Sequence, residues 1–443
     1  MRGGELIPLF SKTFRALTFL TAVAGLLLSP CQAADGSKTN APATPATKTP
    51  VEVSDQLKML RKRVDEVDSA YAAYVKGIDS DQRSKLWEVY TRENDALIPR
   101  ILEVVRRAPN SPAAFELIQW VVTNGRISAR SLRPYGLQAV EILRNGYTNY
   151  PNLGRVCRAL AFAGDPSNQP TMEFLQIVST GNPNRAARGS ATFALARLTK
   201  TKAEGLAFLE SFPPNIYTNL YPNVTEASAD YEQASKNGGS KAVFQRAEQL
   251  FETIQKKYAD CSNFESGPGL RQPKPTLGEQ AGVELYECQH LVPGKIAPEL
   301  EGEDLDGHKF KLSDYRGKVV ILSFWASWCG PCMQMLPHEC AMAQRLEGKP
   351  FAIVGVNGDA TQQDAKSAAE KNHITWRSFW NGTGGPWSGT AAAWNVNGWP
   401  TVLILDAKGM IRLKLTGYGG KRMDSLLDQL VDHLLNELGS QQR

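Results

Sequence analysis

The stretch "VVILSFWASWCGPC", residues 319–332, joins a mostly apolar run that opens on β-branched residues to two cysteines separated by Gly330 and Pro331. Residues 319–325 fit a strand buried on both faces. The stretch that follows, "CMQMLPHECAMAQRLEG", has the spacing of a helix, so Cys329 stands where a strand ends and a helix begins. A thiolate there faces unpaired backbone N–H groups and the positive end of the helix dipole, which lower its pKa and make it a nucleophile near neutral pH. Cys332 lies one turn further in. It is close enough to attack a mixed disulfide formed by Cys329, and less accessible itself. Pro331 suits the first turn, since it has no N–H to leave unsatisfied.

A structural metal needs more ligands than the pair supplies. His338 and Cys340 follow, but the six residues from Cys332 to His338 advance about 9 Å along a helix, too far for one tetrahedral ion to be shared easily. No second CxxC occurs in the chain. No metal and no cofactor is therefore expected. A purely structural bridge between Cys329 and Cys332 closes so small a loop that it constrains the unfolded chain little. His338 reads as a surface or packing residue, and Cys340 as a small buried hydrophobe.

Outward from this centre, "FAIVGVN" (351–357) and "TVLILD" (401–406) are further buried-strand runs, with the helix-like "DAKSAAEKN" after the first. "LILDAKGMIRLKLTG" adds a hairpin turning at Lys408-Gly409, and "MDSLLDQLVDHLLNEL" a closing amphipathic helix. The alternation predicts an α/β domain over 291–438, a mixed central sheet flanked by helices. Residues 51–290 read differently. Segments such as "LWEVYTRENDALIPRILEVVRRAP" and "AAFELIQWVVTNG" space apolar residues by three and four, predicting an all-α helical array without a fixed repeat period. A chain of 443 residues exceeds what one core usually organises, which agrees with two domains.

At the N-terminus, Arg2, Lys12 and Arg15 precede "ALTFLTAVAGLLL" (16–28), too short to cross a bilayer comfortably but suited to a secretory signal cut after Ala33 or Ala34. We expect a signal peptide over 1–33, a Thr/Pro/Ala-rich linker over 34–50 and a periplasmic or other extracytoplasmic location. "LSPC" leaves lipidation of Cys31 as an alternative tether, and an uncleaved signal as another. Six cysteines follow the cleavage point: 157, 261, 288, 329, 332 and 340. Cys261 and Cys288 flank a proline-containing stretch and either pair or stay as buried thiols. A net charge of +5 with 21% charged residues describes an ordinary soluble protein and gives no reason to expect nucleic acid as a partner.

"SFWASWCGPC", with Pro337, "GWPT" at 398–401 and "LILDAKGMI", resembles the thioredoxin superfamily, specifically the extracytoplasmic TlpA/ResA class of thiol-disulfide oxidoreductases, over about residues 291–436. The resemblance implies a thioredoxin-like fold with Cys329 attacking, Cys332 resolving and a redox disulfide between them. Pro400 would be the cis-proline whose loop presents backbone groups to an extended peptide, with Trp328, Gly330, Pro331 and Trp399 on the substrate side. The implied partners are protein thiols or disulfides and a soluble or membrane redox donor. The Gly-Pro dipeptide resembles that of thioredoxin, at about −270 mV, so a reductant is expected.

One departure matters. Thioredoxins proper carry a proton-moving aspartate six residues before the first cysteine, where this chain has Ser323. The stretch "APELEGEDLDGHKFKLSDYRGK" resembles the extra hairpin of the TlpA/ResA class, in which a glutamate reaches the cysteines. By spacing from Ala297-Pro298 that glutamate is Glu303, although Glu301, Asp304 and Asp306 stand close by, and solvation is the ordinary use of an acidic loop. A carboxylate beside a buried thiol has a raised pKa and exchanges protons near neutrality. Two other functions compete: a peroxiredoxin-like thiol peroxidase, and a helical protein-binding scaffold with an accessory redox domain. The glycine-rich 381–394 lacks the GK[ST] ending of a phosphate loop. It reads as an insertion near the site, whose Trp387 and Trp394, with Trp376 and Trp380, either pack or line a docking surface.

Overall fold

The computed structural model describes residues 50–441 apart from 76–79, 124–132, 165, 167, 214–215, 217–234 and 263–274. The expected signal peptide, cleavage point, Cys31 and the linker before Pro50 lie outside the described residues. The first region holds helices α1 (Pro50–Val75), α2 (Ser80–Arg106), α3 (Pro112–Thr123), α4 (Arg133–Gly146), α5 (Gly154–Ala163), α6 (Gln169–Gly181), α7 (Arg185–Ser211), α8 (Gly239–Lys257) and α9 (Leu277–His290). None of the described helices is long and apolar enough to cross a membrane.

Helix α7 is the centre of this array because its sequence is small on several sides. Ala187, Gly189, Ser190, Ala191, Ala194 and Ala196 are all buried, letting neighbours approach closely. A Cβ on Gly189 would come within 3.0 Å of Tyr258 and Leu277. Asn184 caps its start, accepting from the Ala187 N–H at 3.0 Å. Thr276 and Glu279 close a reciprocal capping box on α9.

The second region begins with a two-stranded antiparallel ribbon, β1 (Glu301–Glu303) and β2 (Lys309–Lys311), before β3 (Val319–Trp325), α10 (Gly330–Arg345), β4 (Phe351–Asn357), α11 (Gln362–Lys371), β5 (Ser378–Trp380), α12 (Gly389–Ala393), β6 (Thr401–Leu405), β7 (Ile411–Thr416) and α13 (Lys421–Gln441). The main sheet runs β5-β4-β3-β6-β7. Strands β3, β4 and β5 are parallel, while β6 is antiparallel to β3 and β7 to β6. An all-α region precedes a mixed sheet flanked by helices, as the change of periodicity implied, and the second region has the thioredoxin-like fold that the resemblance implied. The edge strand β5 and the short helix α12 are elements the sequence did not announce, because three and five residues are too few to show a period.

Every residue of β3 is buried, and the strand feeds both faces of the sheet. Val319 and Ile321 point into one core with Met335, Met342 and α13, while Val320, Leu322 and Phe324 point into the other. The helical region does not stop at the first of these cores. Leu206, Phe208 and Phe212, near the end of α7, pack into it beside Val402 and Leu427. Arg412 of β7 also donates to the Ser211 carbonyl at 3.1 Å. Helices and sheet are thus joined by shared apolar packing as well as by the chain.

Candidate redox site

Cys329 is the N-cap of α10 and is disulfide-bonded to Cys332, with the two Cα atoms 5.2 Å apart. The Cys329 sulfur accepts from the Cys332 N–H at 3.2 Å, so a backbone donor at the positive end of the helix already faces it. Cys329 keeps 4% of its surface and Cys332 none. An incoming sulfur therefore has access to Cys329 alone. Gly330 and Pro331 are exposed beside it.

The turn that presents Cys329 is held by the end of β4. The buried Asp359 carboxylate accepts from the Ser327 N–H at 3.0 Å, from its hydroxyl at 2.7 Å and from Asn357 Nδ2 at 2.9 Å. Trp328 Nε1 donates to the Gly358 carbonyl at 3.1 Å, and Trp380 Nε1 to that of Asp359 at 3.0 Å. Asp359 escaped the sequence reading, because one aspartate just past a strand carries no signal of what it will meet.

The Trp399–Pro400 bond is cis. Trp399 is largely buried in the core cluster that also contains both cysteines. Its ring meets Trp328 edge-on at 5.7 Å and Trp387 at 6.5 Å. A Cβ on Gly358 would come within 2.5 Å of the Trp399 ring, so the backbone there must be bare. Trp328 and Trp387 are 43% and 45% exposed, which makes an apolar patch next to Cys329. Of the other tryptophans weighed above, Trp394 is buried against Phe324, Trp376 packs against both cores and Trp380 is tied to Asp359.

Glu303 is exposed on β1, opposite Lys309. Next to it Asp304 is buried, with its carboxylate 2.6 Å from Arg377. Burial pushes that acid up, but backbone donors at His308 and Asp306 and the Arg377 guanidinium hold it below its usual range. Asp306 is exposed and pairs with Lys366 at 2.7 Å. The buried setting argued for Glu303 is found instead at Glu339. This residue is fully buried on α10, and burial pushes its carboxyl up to about 7, a rise tempered by the nearby Ser323 hydroxyl.

Cys261 and Cys288 do not bridge; with Cys157 they are unpaired and buried, and Cys340 is unpaired and half-buried. Burial pushes the Cys157 and Cys288 thiols up to about 12, which leaves them inert at neutral pH. His338 is mostly covered, 3.7 Å from Asp428. Among the described residues no group of histidines, cysteines and acids is arranged to hold a metal.

Residues 293–414 match the AhpC/TSA family. The ResA thiol-disulfide oxidoreductase of Geobacillus kaustophilus is 31% identical over 127 residues, covering 29% of this chain and 71% of the relative. The thioredoxin-like protein YneN of Bacillus subtilis is 32% identical over 142 residues, covering 31% and 80%. Among solved structures, the thioredoxin domain of a thiol-disulfide oxidoreductase from Bacteroides vulgatus is 26% identical, with a TM-score of 0.29, covering 32% of this chain and 98% of that one. Through its C-terminal region the chain belongs to the thioredoxin-like thiol-disulfide oxidoreductases, and it is an enzyme of that class. Each of these three relatives covers less than a third of this chain.

Proposed function

We propose that this protein reduces disulfides of protein substrates outside the cytoplasm, with Cys329 as the attacking and Cys332 as the resolving cysteine. The observation that carries the reading is the unequal access to the two sulfurs at the start of α10. In the reduced state the Cys329 thiolate sits at the helix N-terminus and attacks a substrate sulfur, expelling the other as a thiolate. Cys332 then attacks Cys329 and releases the reduced substrate. Trp328, Gly330, Pro331 and the Trp399–Pro400 loop form the docking side, because the two tryptophan rings are in contact beside Cys329. A soluble or membrane dithiol donor resets the pair. The apolar run at 16–28 supports the location.

Cys329→Ala is expected to abolish disulfide exchange, and Cys332→Ser to accumulate mixed disulfides with substrate proteins, seen as reducible adducts on gels. Full exchange by Cys329→Ala would sink the proposal. Titration against glutathione reads the direction. The AhpC/TSA match supports a second reading, reduction of a peroxide at Cys329 with Cys332 closing the disulfide. Peroxide consumption faster than disulfide exchange would favour it.

A further inference from the structure

Glu339 is a buried acid that the exchange chemistry leaves unused. Seven residues turn a helix through almost two full turns, so Glu339 lies in line with Cys332, about 10 Å further along α10. Side chains on a helix lean toward its N-terminus, here toward Cys332. Ser323, also fully buried, approaches the carboxyl from β3, the strand that delivers Cys329. Neither Glu339 oxygen nor the Ser323 hydroxyl closes a regular hydrogen bond within the protein. Buried polar groups are normally paired, and a strongly perturbed acid near reactive groups is a mark of function.

The surroundings offer this acid no cation. On α10 the buried neighbours of Glu339 along the helix are apolar, Met335, Leu336 and Met342. From α13, Asp424 disfavours its ionised form, and that aspartate accepts from the Tyr418 hydroxyl at 3.0 Å. On α10 itself His338 turns to Asp428, Arg345 pairs with Asp428 and Asp432, and Cys340 points to the carbonyls of Asn372 and His373. Among the described residues no ion pair reaches Glu339.

We propose that Glu339 holds the proton that the Cys332 thiol gives up and takes back, relayed by the Ser323 hydroxyl. This rests on Cys332 being the resolving thiol. When Cys329 is in a mixed disulfide with substrate, the Cys332 proton passes through Ser323 to the Glu339 carboxylate. The electron pair left on Cys332 forms the bond to the Cys329 sulfur, the Cys329–substrate bond breaks, and the substrate sulfur leaves as a thiolate. The dithiol has then given two electrons to the substrate disulfide, and Glu339 releases its proton to solvent. Re-reduction by an external dithiol runs the transfer backwards. Glu339 touches no reacting sulfur and is a positioning residue, setting the protonation of Cys332.

The test uses the full chain in two ways. Infrared difference spectra of wild-type protein, oxidised and dithiothreitol-reduced, are followed from pH 5 to 9. The expected result is a buried carboxyl band, absent from Glu339→Gln, whose titration midpoint differs between the redox states, since coupled ionisations shift each other reciprocally. Equal midpoints overturn the proposal without requiring any variant to fold. Stopped-flow resolution of a mixed disulfide with a cysteine peptide is the second arm. Glu339→Gln should slow resolution by about 100-fold, the lower range for general acid–base assistance, and erase the inflection near neutrality, while Glu339→Asp restores part of both. A wild-type profile in Glu339→Gln, or loss of the inflection in Glu303→Gln instead, overturns it. Cys332→Ser resolving as fast as wild type would overturn the exchange reading beneath it.

Discussion

Glu287 and Glu339 are both buried glutamates, and the protein treats them in opposite ways. Glu287 of α9 lies 2.6 Å from the Lys200 ammonium of α7 and 2.5 Å from that of Lys414 on β7, and accepts from Asn395 Nδ2 at 2.5 Å. Burial alone would push its carboxyl up, but the two ammonium groups outweigh this and hold it well below the usual range. Lys200 also reaches Glu284 at 2.6 Å, and Arg197 pairs with Glu284 as well. Among the described residues Glu339 has no such cations, and only the Ser323 hydroxyl works against its burial. The first acid is a fixed charge that joins helices, sheet and the segment leading from Trp394 toward Pro400. The second is a proton store on the redox helix itself. Burial alone does not tell which a carboxylate is; its cations do.

Removing the fixed charge should have the largest effect. Glu287→Ala leaves the Lys200 and Lys414 ammonium groups facing each other without their shared anion, and breaking a buried pair this way costs about 3–5 kcal/mol. Urea unfolding at pH 7 measures it. The sign with pH follows from the depressed value. The contribution of Glu287 is fully present above the ordinary 4.5 and is lost as pH falls below it. A loss under about 0.5 kcal/mol would mean that the node is solvated and the contrast false.

Glu339→Gln should act in the other direction. A carboxyl raised from 4.5 to about 7 binds more protons folded than unfolded, so wild-type stability falls as pH rises through that window. At about 1.4 kcal/mol per unit, the penalty reaches about 3 kcal/mol above pH 7. The glutamine variant should match wild type near pH 4 and exceed it by up to that amount at pH 8, in thermal or urea unfolding. A variant less stable than wild type at pH 8 would show that the ionised carboxylate has a stabilising partner.

The difference between the two acids also explains how much was readable beforehand. The strand, the helix start and the ordered cysteines were legible because they are local, carried by a continuous apolar run that gives way at Cys329 to helical spacing. Gly358, Asp359 and the Trp399 contact were not, since they depend on which strand β3 takes as its neighbour. Lys414 and Glu287 are 127 residues apart, so no window contains both. Glu303 was placed by spacing on a ribbon whose outer side proves to be solvent. Glu339 had a signal that went unused. Positions 332, 335, 336, 339 and 342 form one stripe of a helix, and a glutamate in a stripe otherwise made of Cys, Met and Leu is a buried acid.

The smallest expected effects come from the two groups that tune Glu339, and they should have opposite signs. The Ser323 hydroxyl lowers the carboxyl and the Asp424 charge raises it, both less strongly than burial. Ser323→Ala should move the midpoint of the stability–pH curve upward, and Asp424→Asn should move it downward by a smaller amount. Asp424→Asn carries an internal check, because the Tyr418 hydroxyl, pushed up to about 12 by its own burial and by this aspartate, should fall in the same variant. Tyrosine absorbance in alkaline titration reads that group independently of Glu339. If Tyr418 falls while the Glu339 midpoint stays fixed, the charge of Asp424 is not felt across the core. Desolvation and Ser323 would then alone separate this acid from the lysine-bound Glu287.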